Sequence, residues 1–370
     1  MADLFPFLSG EPRGKPHTNL YDKLKTSFDA TSRGIVVPTS VDNFRQTFHL
    51  VGALREVLHT TLPIQIVYAG NDGLRSFQRE MLAHRFTDIS FLDIYTVLRE
   101  PFSQPDTSPS SLKTFACLAT TFEEFILLSR DLVFLDRPEE LFDLRTYRRT
   151  GAFLSIDRIS SPGQLKGYAP YDSSGSRTNT NAQDSQTHDL SVAVFDKSRH
   201  SVLFAMLHAS WQCHLKEQAQ TDRTTVNRVS EMWRLGFEHT SAPYELQTPS
   251  DALVGWPRSE AGEEICKFAH GFSGLSGRIL WYNRPMPREE SSPDQDIPTH
   301  RMAAVSGQHE LSNNDIICAV RKEAQLLRSQ EKQVIEETIY KAQELDEEFE
   351  LAEMHRSMTS SDGEANRSFN

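Results

Sequence analysis

The feature that most constrains this chain of 370 residues is a rhythm that begins at Gly34. Short, wholly apolar runs alternate with segments whose apolar residues recur every three or four positions. The run Gly34-Ile35-Val36-Val37 ends at Pro38. Residues 41–59 then place Val41, Phe44, Phe48, Val51, Leu54 and Leu58 on one helical face. A second apolar run, 64–70, stops at Gly70-Asn71-Asp72-Gly73. Residues 74–86 read as a helix, 89–94 as a third strand, 112–121 as a helix, and a fourth strand lies within 124–136. A strand that is apolar on both faces has to be covered on both. The pattern therefore predicts an α/β fold, a mostly parallel sheet flanked by helices. In such sheets ligands bind beyond the carboxyl ends of the strands.

Further along, residues 160–189 are rich in Ser, Gly, Asn and Thr and read as a flexible loop. Apolar patterning resumes at 190–196, followed by helices near 199–215 and 226–237 and short strands near 265–270 and 277–282. Residues 287–300 are a second polar stretch. A long amphipathic helix is expected from Asn313 to His355, with Val320, Leu327, Ile335 and Phe349 on a face that docks on its own domain or pairs with another chain. The implied organisation is a loose lead-in (1–30), a catalytic-type domain (31–286), a linker (287–312) and an acidic helix with its tail (313–370).

Charge and cysteines exclude several classes. The net charge is −12, from 39 Lys+Arg and 51 Asp+Glu. Residues 310–370 hold 14 acids against 7 bases, so the acidity belongs mainly to the tail. No basic footprint for nucleic acid is present. The four cysteines, Cys117, Cys213, Cys266 and Cys318, are scattered without a Cys-x-x-Cys pair, which argues against zinc ribbons and disulfide-dense scaffolds. Cys117 (FACLAT) and Cys318 (IICAV) sit in apolar settings read as helical. One or two disulfides remain open. No apolar run reaches the roughly 18–20 residues of a membrane span, so the chain as written reads as soluble.

The fourth strand leads into Ser129-Arg130-Asp131, then an apolar turn (LVFL, 132–135) and Pro138-Glu139-Glu140. On an extended chain, residues two apart share a side, so Ser129 and Asp131 are expected to face one crevice. An acid at a strand's carboxyl end suits a hard divalent ion such as Mn²⁺ or Mg²⁺.

Four segments, GIVVPTSVDNFRQTFHLVGALR, LPIQIVYAG, LKTFACLATTFEEFILLSRDLVFLDRPEELFD and TGAFLSIDR, occur in this order and spacing. Together they resemble the fungal α-mannosyltransferases of the α-1,3-/α-1,2- type, glycosyltransferase family 71. The resemblance covers roughly residues 30–285. It implies a GT-A-like (Rossmann-like) domain that transfers mannose from GDP-mannose to a glycan acceptor with retention, assisted by Mn²⁺ or Mg²⁺. It also implies a Golgi type II membrane enzyme, whose anchor this chain does not show, and partnership with other mannosyltransferases.

By position, the resemblance makes Asp131 the last acid of the family's metal motif and His270 a second metal ligand. Lys113 becomes a point charge for phosphate, and Pro38, Thr39, Tyr68, Ser129, Arg130 and Arg158 line the donor. Departures stand beside these matches. Ser129 replaces the first acid of the metal motif, Val229 replaces an Asp, and the segment Asp189-Leu190-Ser191 is altered. Asp189 and Glu231 are the nearest surviving acids for acceptor contact. The alternative expectation is a catalytically inactive relative that binds glycan or nucleotide, or assembles into a complex.

Overall fold

The computed structural model describes residues 27–98, 109–159, 187–218, 229–247, 252–257, 264–275, 278–283, 303–306, 310–312, 318–320 and 325–365. The expected lead-in up to residue 26, most of the loop at 160–189, and residues 284–302 of the linker region lie outside these. One sheet contains β1 (Asp29–Pro38), β2 (Ile64–Tyr68), β3 (Ile89–Asp93), β4 (Phe122–Leu128), β6 (Ala152–Ile159), β7 (Thr187–Asp196) and β8 (Glu245–Gln247). Between β4 and β6 in the chain lies β5 (Leu132–Phe134), which belongs to a second sheet. The first sheet runs β3-β2-β1-β4-β7-β6-β8. Its β3-β2-β1-β4 half is parallel, β7 is antiparallel to β4 and to β6, and β8 is parallel to β6. This is the α/β layout, a mostly parallel sheet flanked by helices, that the sequence predicts.

Alternation along the strands explains the layers. Val36 of β1 and Phe125 and Leu127 of β4 face one apolar cluster. Ile35 and Val37 of β1 and Ile126 and Leu128 of β4 face the other. The first face is covered by α3 (Pro109–Ala119), α4 (His200–Gln218) and α5 (Val229–His239), through Phe115, Met206 and Trp233. The second is covered by α1 (Phe44–Gly52), α2 (Ser76–Arg85) and α6 (Ser329–Ala365), through Phe48, Leu82 and Leu345. Each such side chain, fully buried, stabilises by about 1.5–3 kcal/mol.

The second sheet contains β9 (Ala252–Pro257), β10 (Glu264–Ser273), β11 (Ile279–Asn283), β12 (Ala303–Ser306), β13 (Glu310–Ser312), β14 (Cys318–Val320) and β15 (Gln325–Leu326). Its order is β13-β14-β10-β9-β12-β15, and β11 bridges β10 to β5. Two local expectations change here. The LVFL stretch is not a turn: Leu132–Phe134 is a strand, because β11 offers it an antiparallel partner. The last helix starts at Ser329 rather than Asn313, and Cys318 and Val320 lie in β14 between two strands. The helix begins where the Glu331 carboxylate accepts the Arg328 N–H at 2.7 Å.

From there α6 docks on its own domain. Leu327, Ile335, Leu345 and Phe349 are buried, whereas Val320 has no part in that face. Its acids meet bases of α1 and α2: Asp346 with His49 (2.8 Å) and Arg45 (3.3 Å), and Glu344 with Arg85 (2.8 Å). Among the described residues no helix is long and apolar enough to cross a membrane.

Candidate functional site

The register aligns Pro38 with Val67, Tyr68 with Asp93, and Val36 with Leu127. The carboxyl ends of β1, β2, β3 and β4 therefore share one edge. On the antiparallel side, Asp189 opens β7 opposite Asp157 and next to Arg158 near the end of β6, at that same edge. The topology thus gathers Pro38, Thr39, Tyr68, Ser129, Arg130, Asp131, Arg158 and Asp189 along one border of the sheet.

Several of these groups are fixed by protein contacts. Thr39 is fully buried; its N–H donates to Val67 O (2.8 Å) and its hydroxyl lies 3.1 Å from Val37 O and 3.2 Å from Thr47 Oγ1. Tyr68 closes β2 with the Arg79 guanidinium 5.1 Å from its ring centroid. Asp93, a residue the sequence reading did not select, accepts N–H bonds from Gly70 (2.9 Å) and Tyr95 (3.0 Å), so it locks the β2 and β3 ends together. The clue to it was an acid at a strand end immediately before a helical turn.

The centre of the edge is a buried lysine. Lys113, in the first turns of α3, is 8% exposed, and Ser129 is 7% exposed. Lys113 Nζ donates to Ser129 Oγ at 2.7 Å and to Leu190 O at 3.1 Å, and Ser129 Oγ donates to Leu190 O at 3.0 Å. Lys113 is thus a cross-brace between α3, the end of β4 and the start of β7. The chain is not extended after Ser129. It turns at Arg130 and Asp131, so Ser129 goes inward while the Asp131 side chain stays 35% exposed, 3.8 Å from Arg130 Nε.

Two remaining candidates, Glu231 and His270, are located through their elements alone. Glu231 lies in the first turn of α5. Its neighbour Met232 places Sδ 3.2 Å from Cys213 Sγ, which is 3.4 Å from Thr114 Oγ1, beside Lys113. His270 lies in β10 opposite Asn283 of β11, and Asn283 lies opposite Leu132 of β5, the residue after Asp131. One row of the second sheet therefore carries His270, Asn283 and Leu132. Two strand spacings, about 10 Å, separate the backbones of His270 and Leu132. Aspartate and histidine are both ordinary ligand types for a divalent ion. Ser129 supplies no such anion, because its oxygen is neutral and already bonded to Lys113 and Leu190.

Residues 32–168 match the model of a family described as "Mannosyltransferase putative". The chain is 30% identical over 136 residues to "Putative alpha-1,3-mannosyltransferase MNN14" of Candida albicans (strain SC5314 / ATCC MYA-2876), covering 35% of this chain and 20% of that protein. It is 23% identical over 377 residues to "Putative alpha-1,3-mannosyltransferase MNN15" of the same organism, covering 76% of this chain and 48% of that protein. The chain thus spans at most about half the length of these two relatives. A crystal structure of the galactosyltransferase LgtC with donor and acceptor sugar analogs matches at 13% identity and a TM-score of 0.36, covering 58% of this chain and 72% of that one. The matched span, residues 32–168, includes β1, β2, β3 and β4, and over it the chain is similar to this family of mannosyltransferases.

Proposed function

We propose that this protein is a retaining α-mannosyltransferase that uses GDP-mannose as donor and a glycan or glycoprotein as acceptor. The observation that carries this reading is the row joining His270 and Asn283 to Leu132, next to Asp131, at the border where the parallel strands end. In this reading Asp131 and His270 hold Mn²⁺ or Mg²⁺, and oxygens of the substrate and water complete the coordination. Such an ion, when bound, neutralises charge developing on the leaving diphosphate.

The chain's own residues do the rest. Pro38 and Tyr68 border the nucleotide, Thr39, itself fully buried, ties the β1 end to β2, and Arg158 stands at the far end of the border. Lys113 holds the β4 and β7 ends in register and adds positive charge beneath the diphosphate. Arg130 sits beside Asp131 in a half-exposed ion pair of small worth, so its guanidinium can exchange that carboxylate for a phosphate oxygen. Asp189 and Glu231 flank the acceptor side. For a retaining transfer the acceptor hydroxyl's proton passes to the departing diphosphate oxygen, and no strong general base is needed. A lumenal Golgi address and assembly with other mannosyltransferases belong to the same reading.

The test is calorimetric titration of GDP-mannose with and without Mn²⁺, on the wild-type chain and on Asp131→Ala and His270→Ala. Metal-dependent binding that both variants lose supports the assignment. Binding indifferent to metal and to Asp131 sinks it. One observation favours a second reading, that of an inactive relative retaining the fold: the first motif position carries a hydroxyl spent on Lys113 and Leu190. Tight binding of GDP-mannose without release of GDP in the presence of mannoside acceptors would select that reading.

A further inference from the structure

Two of the four cysteines are ruled out as redox partners by their surroundings. Cys117 on α3 and Cys213 on α4 are free thiols, at most 1% exposed. Burial pushes the Cys117 thiol above its ordinary range, which suppresses the thiolate that disulfide exchange requires. The other two meet across a ladder. In the antiparallel pair β10–β14, Glu264 lies opposite Val320, Ile265 opposite Ala319, and Cys266 opposite Cys318.

Directly opposed residues of an antiparallel pair share a face of the sheet. Their Cα atoms lie about 4.5 or about 5.5 Å apart, according to whether the pair is non-hydrogen-bonded or hydrogen-bonded. Both separations fall within the span of roughly 4.4–6.8 Å that a disulfide bridges. A shift of one residue would put the two cysteines on opposite faces, so the register itself makes the pair.

We propose that Cys266 and Cys318 form a cross-strand disulfide in the oxidised protein. The oxidant is a low-molecular-weight or protein disulfide. Its S–S bond breaks and leaves as two thiols, while the two cysteines give up two protons and two electrons and join through a new S–S bond. The bond ties β10, which carries His270 four residues further on, to β14, which lies between β10 and β13. It also closes the long loop that holds β11, β12 and β13. The same chemistry restricts the bond to compartments where disulfides persist.

The experiment uses the full chain in a glutathione/glutathione-disulfide buffer, followed by alkylation, tryptic digestion without reductant and mass spectrometry. The expected product is the peptide 259–267 linked to 302–321, with two free thiols per chain in denaturant and four after reduction. Cys266→Ser and Cys318→Ser should each lose the linked peptide, while Cys117→Ser and Cys213→Ser should keep it. Reduction is expected to lower the melting temperature by about 5–10 °C. Four free thiols in the oxidising buffer, a crosslink between other cysteines, or a disulfide between two chains would each overturn the proposal.

Discussion

Replacing Ser129 with aspartate tests how charge is arranged at the border. In the wild type the Lys113 ammonium is already largely withdrawn from water, and Ser129 Oγ at 2.7 Å and Leu190 O at 3.1 Å are two of its partners. A carboxylate at position 129 meets that ammonium directly. At about 4 Å, with an effective dielectric near 20, the attraction is about 4 kcal/mol. Against it stands the desolvation of the new carboxylate, several kcal/mol, and its repulsion from the Leu190 carbonyl. The lysine's own desolvation has already been met in the wild type, so the net change should lie within about 0–2 kcal/mol in favour of the variant. That is roughly 0–8 °C in melting temperature for a domain of this size.

The second effect concerns the ion. A carboxylate two residues before Asp131, though turned inward toward Lys113, adds negative charge near the proposed ion, and Mn²⁺-dependent affinity for GDP-mannose should rise. Scanning calorimetry reads the first effect and isothermal titration with Mn²⁺ the second. Ser129→Asn, with the same shape and no charge, should show neither gain. The combination with Lys113→Met should abolish the stability gain and leave a carboxylate buried without its cation. If Ser129→Asp melts well below the wild type while Mn²⁺ dependence is unchanged, the account of Lys113 as the resident cation of this border is wrong.

Other perturbations separate packing from charge. Leu345→Ala, at a fully buried contact of α6, should cost about 2–5 kcal/mol in chemical unfolding, whereas Arg85→Ala, which breaks half-exposed pairs with Glu56, Glu344 and Glu348, should cost no more than about 1 kcal/mol. Equal losses would mean that the acidic helix is held by charge rather than by its apolar face. At Gly236 a Cβ would stand 2.6 Å from the Ala205 carbonyl oxygen, so Gly236→Ala should force α4 and α5 apart at a cost of about 1–3 kcal/mol, read from the urea midpoint. Lys197 is buried, and burial pushes its ammonium down to about 7 although the Phe28 and Phe125 rings favour the charged form. Between pH 7 and the unfolded value of 10.5 the unfolded chain binds the extra proton, so stability should climb as pH rises through that window. Lys197→Met should flatten the climb in urea midpoints measured from pH 6.5 to 10; an unchanged slope would assign it to another group.

The parallel half of the fold was legible because β1, β2 and β4 are continuous apolar runs, and only burial on both faces accounts for such runs. The border was legible for the same reason: once strand direction is known, Pro38, Tyr68 and Ser129 fall at carboxyl ends without further information. The second sheet was not, and the misreading of Cys318 shows why. A short apolar stretch such as IICAV has no period of its own, and its choice between helix and strand is made by a partner distant in sequence. Here that partner is β10, which starts 54 residues before β14 in the numbering of their first residues. The pairing of Lys113 with Ser129 joins a helix to a strand end and leaves no local signature. The same holds for the row from His270 to Leu132, which exists only because β5 leaves the first sheet to pair with β11. The proposed chemistry at this border therefore depends on the second sheet, the part of the molecule least specified by local pattern. If Asp131 and His270 share an ion as proposed, a change in β10, β11 or β5 that leaves both intact should still weaken metal-dependent binding, because those strands set the row of His270, Asn283 and Leu132.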